Sequence, residues 1–294
     1  MNFCSPLRYP GGKNKLAKFI ASVCEKNNVN GHYIEPYAGG ASVALHLLMN
    51  GYVSKITIND IDRSIYAFWY SVTRKTDKLC DLIENTEVAI DNWHKSRDLQ
   101  KNKNKARLLD LGFSTLFLNR TNMSGIIDGG VIGGQKQLGK YKIDCRFNKT
   151  ELIRKIRLIA EYKKSIEISR FDALDLIKRV QQKSKKSSTI YYFDPPYFLK
   201  GESLYMNHYQ RDDHVAVSEA IKKIKNSQWI VSYDNMSEIK NMYSGYRKIE
   251  YSLLHTARTN KIGKEVLFFS NNLVVPEITG PKSFYSSYIK SVEY

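Results

Sequence analysis

An apolar run, Ile190-Tyr191-Tyr192-Phe193, leads without a break into Asp194-Pro195-Pro196-Tyr197, and this junction restricts the folds open to the chain. Four consecutive large apolar residues read as a strand buried on both faces, as in a parallel sheet covered by helices. Two successive prolines have fixed φ and no N–H to donate, so the strand stops there. In an open α/β sheet, the space beyond the carboxyl end of a strand is where ligands bind. The residue before a proline is held extended, so this backbone presents carbonyls in fixed directions beside the Asp194 carboxylate. Asp194 and the Pro195 carbonyl together can accept both hydrogens of one exocyclic NH2 group, while Tyr197 supplies a flat face for the ring that bears it. The junction reads as a site for an aminated aromatic base; a plain turn at a strand end is the alternative.

The rest of the pattern agrees with such a sheet. An amphipathic helix over 14–27, with Leu16, Phe19, Ile20 and Val23 on one stripe, precedes a strand at Tyr33-Ile34-Glu35. A helix over 41–49 and an alternating strand over 55–59, ending at Asp60, follow. After residue 165 the alternation returns: strand 165–169, helix 173–182, strand 190–193, helix 212–225, strand 229–233, then β-like runs at 246–254 and 265–270. Between them lie helical patterns near 64–74, 106–119 and 148–164, the last opened by an Asn148/Glu151 capping box, and a glycine-rich stretch over 125–139. The expected organisation is an α/β domain from residues 1–65 and 166–294, with helices on both faces of its sheet. Residues 66–165 form an inserted, mainly helical domain with a hairpin.

Two further segments carry chemistry. Glu35-Pro36-Tyr37-Ala38-Gly39-Gly40-Ala41-Ser42 sits at a strand-to-helix turn, with Asp60 twenty positions after Gly40. Glycines there let a ligand approach the backbone, and an acid ending the next strand can accept from both ribose hydroxyls. A GxGxxG fingerprint is absent, so an adenosine-containing ligand need not carry a pyrophosphate. Arg8-Tyr9-Pro10-Gly11-Gly12-Lys13-Asn14 lacks the GxxxxGK[ST] spacing of a phosphate loop. It reads instead as a glycine turn presenting Tyr9 and Lys13 to another ligand.

Charge names a class of partner. Lys and Arg number 46 against 29 Asp and Glu in 294 residues, a formal +17, which suits a polyanion, nucleic acid first. A generally basic proteome is the bland reading. Four dispersed cysteines without a CxxC pair indicate neither a disulfide framework nor a metal cluster. With no apolar run long enough to span a bilayer and no signal-peptide core, the expected location is cytoplasmic, with no membrane contact.

In combination these residues resemble the Dam-like class of DNA adenine-N6 methyltransferases, in which a PGGK-type segment, an EPxxGxGS-type segment and DPPY occur in this order. Leu118-Asn119-Arg120-Thr121-Asn122-Met123-Ser124-Gly125 is similar to that class's LNRxxxxG segment, followed here by Ile143-Asp144-Cys145-Arg146-Phe147-Asn148-Lys149. Gly39-Gly40-Ala41 replaces the more usual GxG. The resemblance covers most of residues 5–200 and implies a Rossmann-like methyltransferase sheet with S-adenosylmethionine as methyl donor. Tyr9, Lys13 and the turn residues Glu35, Ala38, Gly39, Gly40 and Ser42 would surround its methionine part. Asp60 would hold the ribose, Asp172 would lie at the cofactor adenine, and Ile61 and Phe171 would sandwich that ring. For Asp172 the alternative is a helix N-cap.

The implied reaction is site-specific methylation of an adenine flipped out of double-stranded DNA, since a stacked and paired amine is out of reach. Asp194, Pro195 and Tyr197 act on the base, and Asn119, Arg120 and Asn122 with the glycine-rich hairpin read the DNA. No metal is needed. The expected state is a monomer, with a dimer on DNA as the alternative, within a restriction-modification setting. The rivals are methylation of another exocyclic amine, such as cytosine N4 or an RNA adenine, and a catalytically inactive DNA-binding relative.

Overall fold

The computed structural model describes residues 5–8, 13–183, 188–198, 209–255, 261–276 and 289–293. Strands β1 His32–Glu35, β2 Lys55–Asn59, β3 Ile166–Ser169, β4 Thr189–Phe193 and β5 Gln228–Asp234 run parallel in the order β3-β2-β1-β4-β5. Strands β6 Arg247–His255, β7 Lys261–Phe269 and β8 Ile289–Glu293 continue the same sheet antiparallel, in the order β5-β7-β6-β8. Every residue of β4 is buried, as its unbroken apolar run requires of a strand covered on both faces. Successive side chains go to opposite layers. Ile34, Tyr191, Phe193 and Val231 pack with Leu176 and Ile177 of α8 (Ala173–Lys183), Val217 and Ile221 of α9 (Arg211–Lys222) and Ile239 of α10 (Ser237–Met242). Tyr33, Ile190 and Tyr192 face the other layer, with α1 (Ala17–Lys26) and α2 (Ser42–Met49).

The middle third is helical, with α3 Arg63–Arg74, α4 Thr76–Asn85, α5 Ile90–Lys101, α6 Leu108–Thr121 and α7 Lys149–Glu161. Helices α4 and α5 are not anticipated by the sequence pattern, and α5 shows why. Its buried side is Trp93, Ser96 and Gln100, a polar seam held by Gln100 to Ser64, Ser114 and Thr115, so no apolar stripe announces it. The glycine-rich stretch departs from the expected hairpin. Among the described residues it forms turns and a single antiparallel bridge, Asn122 to Val131. Gly125 is required there, because its φ is +76° and a Cβ would meet the Arg8 carbonyl oxygen at 2.2 Å. Among the described residues no helix is long and apolar enough to cross a membrane.

Between β1 and β4 the strand order reverses, so the crossovers on either side leave in opposite directions and open a crevice at the carboxyl ends. Glu35 and Asp194 stand at those two ends. One buried residue ties the neighbouring ends together. Asn59, with no exposed surface, donates to the carbonyls of Pro36 and Phe171 and accepts from Ser169 Oγ and Phe171 N. Asn59→Leu strands four partners in the interior and is expected to cost about 3 kcal/mol at one to a few kcal/mol per unsatisfied group. Urea unfolding of the variant checks this, and an unchanged midpoint would show that Asn59 is dispensable.

Candidate active site

The turn after β1 is organised by two buried acids. Glu35 Oε1 accepts from Tyr33 Oη and Ala44 N, both at 3.1 Å, and so fixes the start of α2. Asp60 accepts from Gly39 N at 3.0 Å through Oδ2 and from Asp62 N at 2.9 Å through Oδ1. Gly39 and Ala41 both have left-handed φ, 45° and 46°, and Trp69 of α3 pins the turn by donating to the Gly39 carbonyl at 2.9 Å. Ala38, Gly39 and Gly40 are buried and Ser42 is half-buried at the first turn of α2.

Burial pushes the Glu35 carboxyl up to about 8, with a small further push from Asp194 and a partial return from its two donors. It pushes Asp60 up to about 7. The folded protein therefore holds protons that the unfolded chain releases above its ordinary carboxyl range. This stabilisation is complete below the unfolded pKa of 4.5 for Glu35 and is lost as pH rises through about 8. Urea midpoints are expected to fall between about pH 5 and about pH 9, by on the order of 3 kcal/mol in stability. Glu35→Gln, which retains an oxygen for both donors, should remove roughly half of that decline, the rest belonging to Asp60; an equally steep decline in the variant would assign it to other groups.

At the end of β4 a second buried cluster surrounds the Asp-Pro-Pro-Tyr segment. Lys13 Nζ lies 2.9 Å from Asp194 Oδ1, 2.9 Å from Tyr197 Oη and 3.7 Å from Glu265 Oε2. Tyr197 Oη also donates to Glu265 Oε1, and Tyr251 Oη donates to Glu265 Oε2 at 2.6 Å. Ser232 donates to Asp194 Oδ1 at 2.7 Å and receives Tyr192 Oη at 2.9 Å. The Lys13 and Glu265 side chains are 3% and 2% exposed, whereas Asp194 is 21% exposed. Asp194 is thus the open end of an otherwise closed network. Burial raises its pKa, opposed by Lys13 and Ser232.

The structure gives each expected residue a place. Lys13 is held against Asp194, Tyr197 and Glu265. Tyr197 does not offer an open ring, because its hydroxyl is drawn inward to Lys13 and Glu265 and the residue is 5% exposed. Pro195 is buried directly after Asp194. Ile61 and Phe171, 45% and 36% exposed, stand just beyond the carboxyl ends of adjacent strands β2 and β3, with Arg179 over the Phe171 ring at 4.3 Å. Asp172 accepts from Leu174 N at 2.9 Å and so does serve as a cap for α8. Tyr9 lies outside the described residues.

The three residues expected to read DNA are committed internally. Asn119 accepts from Arg8 N and donates to the carbonyls of Arg8 and Gly125. Asn122 accepts from Trp93 Nε1 and donates to the carbonyls of Ile126 and Ile127. Arg120 donates to the Pro6 carbonyl through Nε at 2.7 Å and through Nη2. Its pKa is lowered to about 10 by burial and by Arg8 and Arg146. The trio braces residues 5–8 and 122–131 against α6, leaving the exposed side chains of 134–142 as the outward face.

Asn59, Trp69, Ser232 and Glu265 are not singled out by the sequence pattern. Glu265 did leave a trace, being a lone acid at the head of the apolar run Val266-Leu267-Phe268-Phe269, where an unpaired charge is too costly to bury.

Comparison with known proteins gives the family. The family model for D12 class N6 adenine-specific DNA methyltransferases matches residues 9–261. A curated relative, the Type II methyltransferase M.MjaIII of Methanocaldococcus jannaschii, is 24% identical over 237 residues, covering 74% of this chain and 79% of that protein. Among solved structures, similarity is found to a SAM-dependent methyltransferase from Agrobacterium tumefaciens, with a TM-score of 0.40 and 8% identity over 86% of this chain and 59% of that one. It is also found to the rRNA methyltransferase aviRa from Streptomyces viridochromogenes, with a TM-score of 0.35 and 10% identity over 86% and 84% of the two chains. The chain belongs to the D12 class of N6 adenine-specific DNA methyltransferases.

Proposed function

We propose that Asp194 and the Pro195 carbonyl accept the two hydrogens of an adenine amino group while the turn after β1 holds S-adenosylmethionine. The observation that carries this reading is the partly open Asp194 carboxylate at the strand-order reversal, backed by a buried lysine and serine that both meet Oδ1. Oδ2 is the oxygen assigned to the substrate amine. The adenine amino lone pair is delocalised into the ring, and two acceptors on its hydrogens favour a pyramidal nitrogen whose lone pair is free to attack. The same acceptors stabilise the positive charge that develops on that nitrogen. S-adenosylmethionine supplies the electrophilic methyl group.

The residues present suit that donor. Ile61 and Phe171 are large apolar side chains left exposed just beyond the ends of the adjacent strands β2 and β3, where a flat heterocycle could pack. Asp60 ends β2 at the same edge, and its carboxylate can accept from ribose hydroxyls in addition to Gly39 and Asp62. Asp172 retains one oxygen beyond its capping bond for the heterocycle's amino group. A target base has to leave the duplex to reach Asp194, and unstacking costs a few kcal/mol. The chain acts on double-stranded DNA in the cytoplasm, and pairing with a restriction enzyme is supported by the type II designation of its archaeal relative.

Asp60→Ala is the test of the donor site. Loss of a charged acceptor should weaken S-adenosylmethionine binding by about 1.5 to 3 kcal/mol, roughly 10- to 150-fold. Calorimetric titration measures it, alongside thermal unfolding to confirm a folded variant. Unchanged affinity would place the ribose elsewhere.

A further inference from the structure

We infer that Glu265 is a positioning residue for methyl transfer: from β7 it holds Lys13 and Tyr197 and shares the Lys13 ammonium with Asp194. The inference rests on the assignment of Asp194 as the acceptor of the substrate amine.

A lysine 2.9 Å from the acceptor carboxylate is a problem for that carboxylate. Alone, Lys13 neutralises Asp194 and weakens its pull on the amine hydrogens just as the nitrogen becomes positive. Glu265 changes the balance. It brings a second carboxylate to the same ammonium at 3.7 Å, so the Lys13 charge is shared between two anions and neutralises Asp194 less completely. Two tyrosine hydroxyls, Tyr197 from below the Asp-Pro-Pro-Tyr turn and Tyr251 from β6, donate to the two Glu265 oxygens. Those donors offset the desolvation of a carboxylate with a 2% exposed side chain. The architecture explains why the acid is on this strand. β7 is the antiparallel strand beside β5, and Glu265 pairs in register with Asp234 at the carboxyl end of β5, level with the end of β4.

Among the described residues other ionisable groups act on this cluster, and Lys15 interacts with Glu265. Glu35 from β1 and Tyr192 from β4 lie close enough to feel the Asp194 charge, as does Tyr233 from β5. Burial holds Glu35 protonated near neutrality and Tyr192, Tyr233 and Tyr251 in the hydroxyl form. Within this set Lys13 lowers the proton affinity of Asp194 and Glu265 raises it.

Glu265→Gln separates charge from shape. In single-turnover transfer of labelled methyl from S-adenosylmethionine to duplex DNA, the variant is expected to be 10- to 100-fold slower. Its acidic half-point, where Asp194 must ionise, should move about one pH unit lower. Lys13→Met should move it the other way, and Lys13→Met/Glu265→Gln should return it between the singles. Glu265→Gln leaves the Lys13–Asp194 pair intact, and Glu265→Asp keeps the test open if Glu265→Gln alone does not fold. Glu265→Asp, which retains the charge, should restore the half-point. A slow Glu265→Gln with an unmoved half-point, or one at the wild-type rate, overturns the inference while Asp194→Ala remains inactive. An active Asp194→Ala instead removes the acceptor assignment on which the inference stands.

Discussion

Asp194→Ala is expected to lower the single-turnover rate of methyl transfer by about a thousandfold, the scale set by removing a preorganised electrostatic partner of a reacting group. The variant should remain folded. Lys13, the only cation within 4 Å of Asp194 among the described ion pairs, keeps Glu265 at 3.7 Å and the Tyr197 hydroxyl at 2.9 Å. Ser232 also retains the Phe193 carbonyl as an acceptor at 3.3 Å. Cofactor affinity should change little, because Asp60, Ile61 and Phe171 belong to β2 and β3 on the far side of β1. The decisive comparison is therefore rate against cofactor binding on one preparation. A rate within tenfold of wild type would remove Asp194 from the chemistry. Parallel losses of rate and of cofactor binding would show that the two sites are less separate than the strand order indicates.

The fold was legible where burial is apolar and opaque where it is polar. The strand over 190–193 and the alternating strand over 55–59 appear close to their expected limits because both bury almost all of their side chains. The late β-like runs appear as β6 and β7. Helix α5 was invisible because its buried side carries Ser96 and Gln100, the latter held by hydrogen bonds, in place of an apolar stripe.

The site follows the same division. Asp194 and Asp60 were readable as candidates because each directly follows a strand, Asp194 ahead of two prolines and Asp60 after the alternating run over 55–59. The partners that decide what those acids do come from across the chain: Lys13 is 181 positions from Asp194, and Glu265 is 68 from Tyr197. Periodicity reports one element at a time and carries no information about such pairings. Asn119 and Asn122 show the converse error. Both are polar residues in a segment that resembles a DNA-reading motif, yet the backbone of a glycine-rich turn has many groups to satisfy. Buried amides are well suited to satisfy them.

The surplus positive charge should appear as a steep dependence of DNA affinity on salt. Charge pairs within the chain absorb part of the basic content: Lys101, Lys103 and Arg107 meet Asp98, Asp62 and Asp110. The surplus concentrates elsewhere, for residues 128–157 hold eight Lys or Arg against three acids, and the stretch includes the exposed run 134–142. If about six phosphates are neutralised, log affinity should fall with log salt at a slope of about −5, close to a thousandfold between roughly 50 and 200 mM. Lys136→Ala/Lys140→Ala, both exposed, should reduce that slope by about two and weaken all sequences alike, because a phosphate contact carries no sequence information. Arg120→Ala should behave differently. Its guanidinium is held by the Pro6 carbonyl, so removing it loosens the stretch that leads to Lys13 and slows methyl transfer more than it changes the salt slope. Fluorescence anisotropy on labelled duplex across a salt series measures all three proteins. A slope near zero in the wild type would reduce the +17 to a matter of solubility, and a slope unchanged in the double variant would move the phosphate track away from residues 134–142.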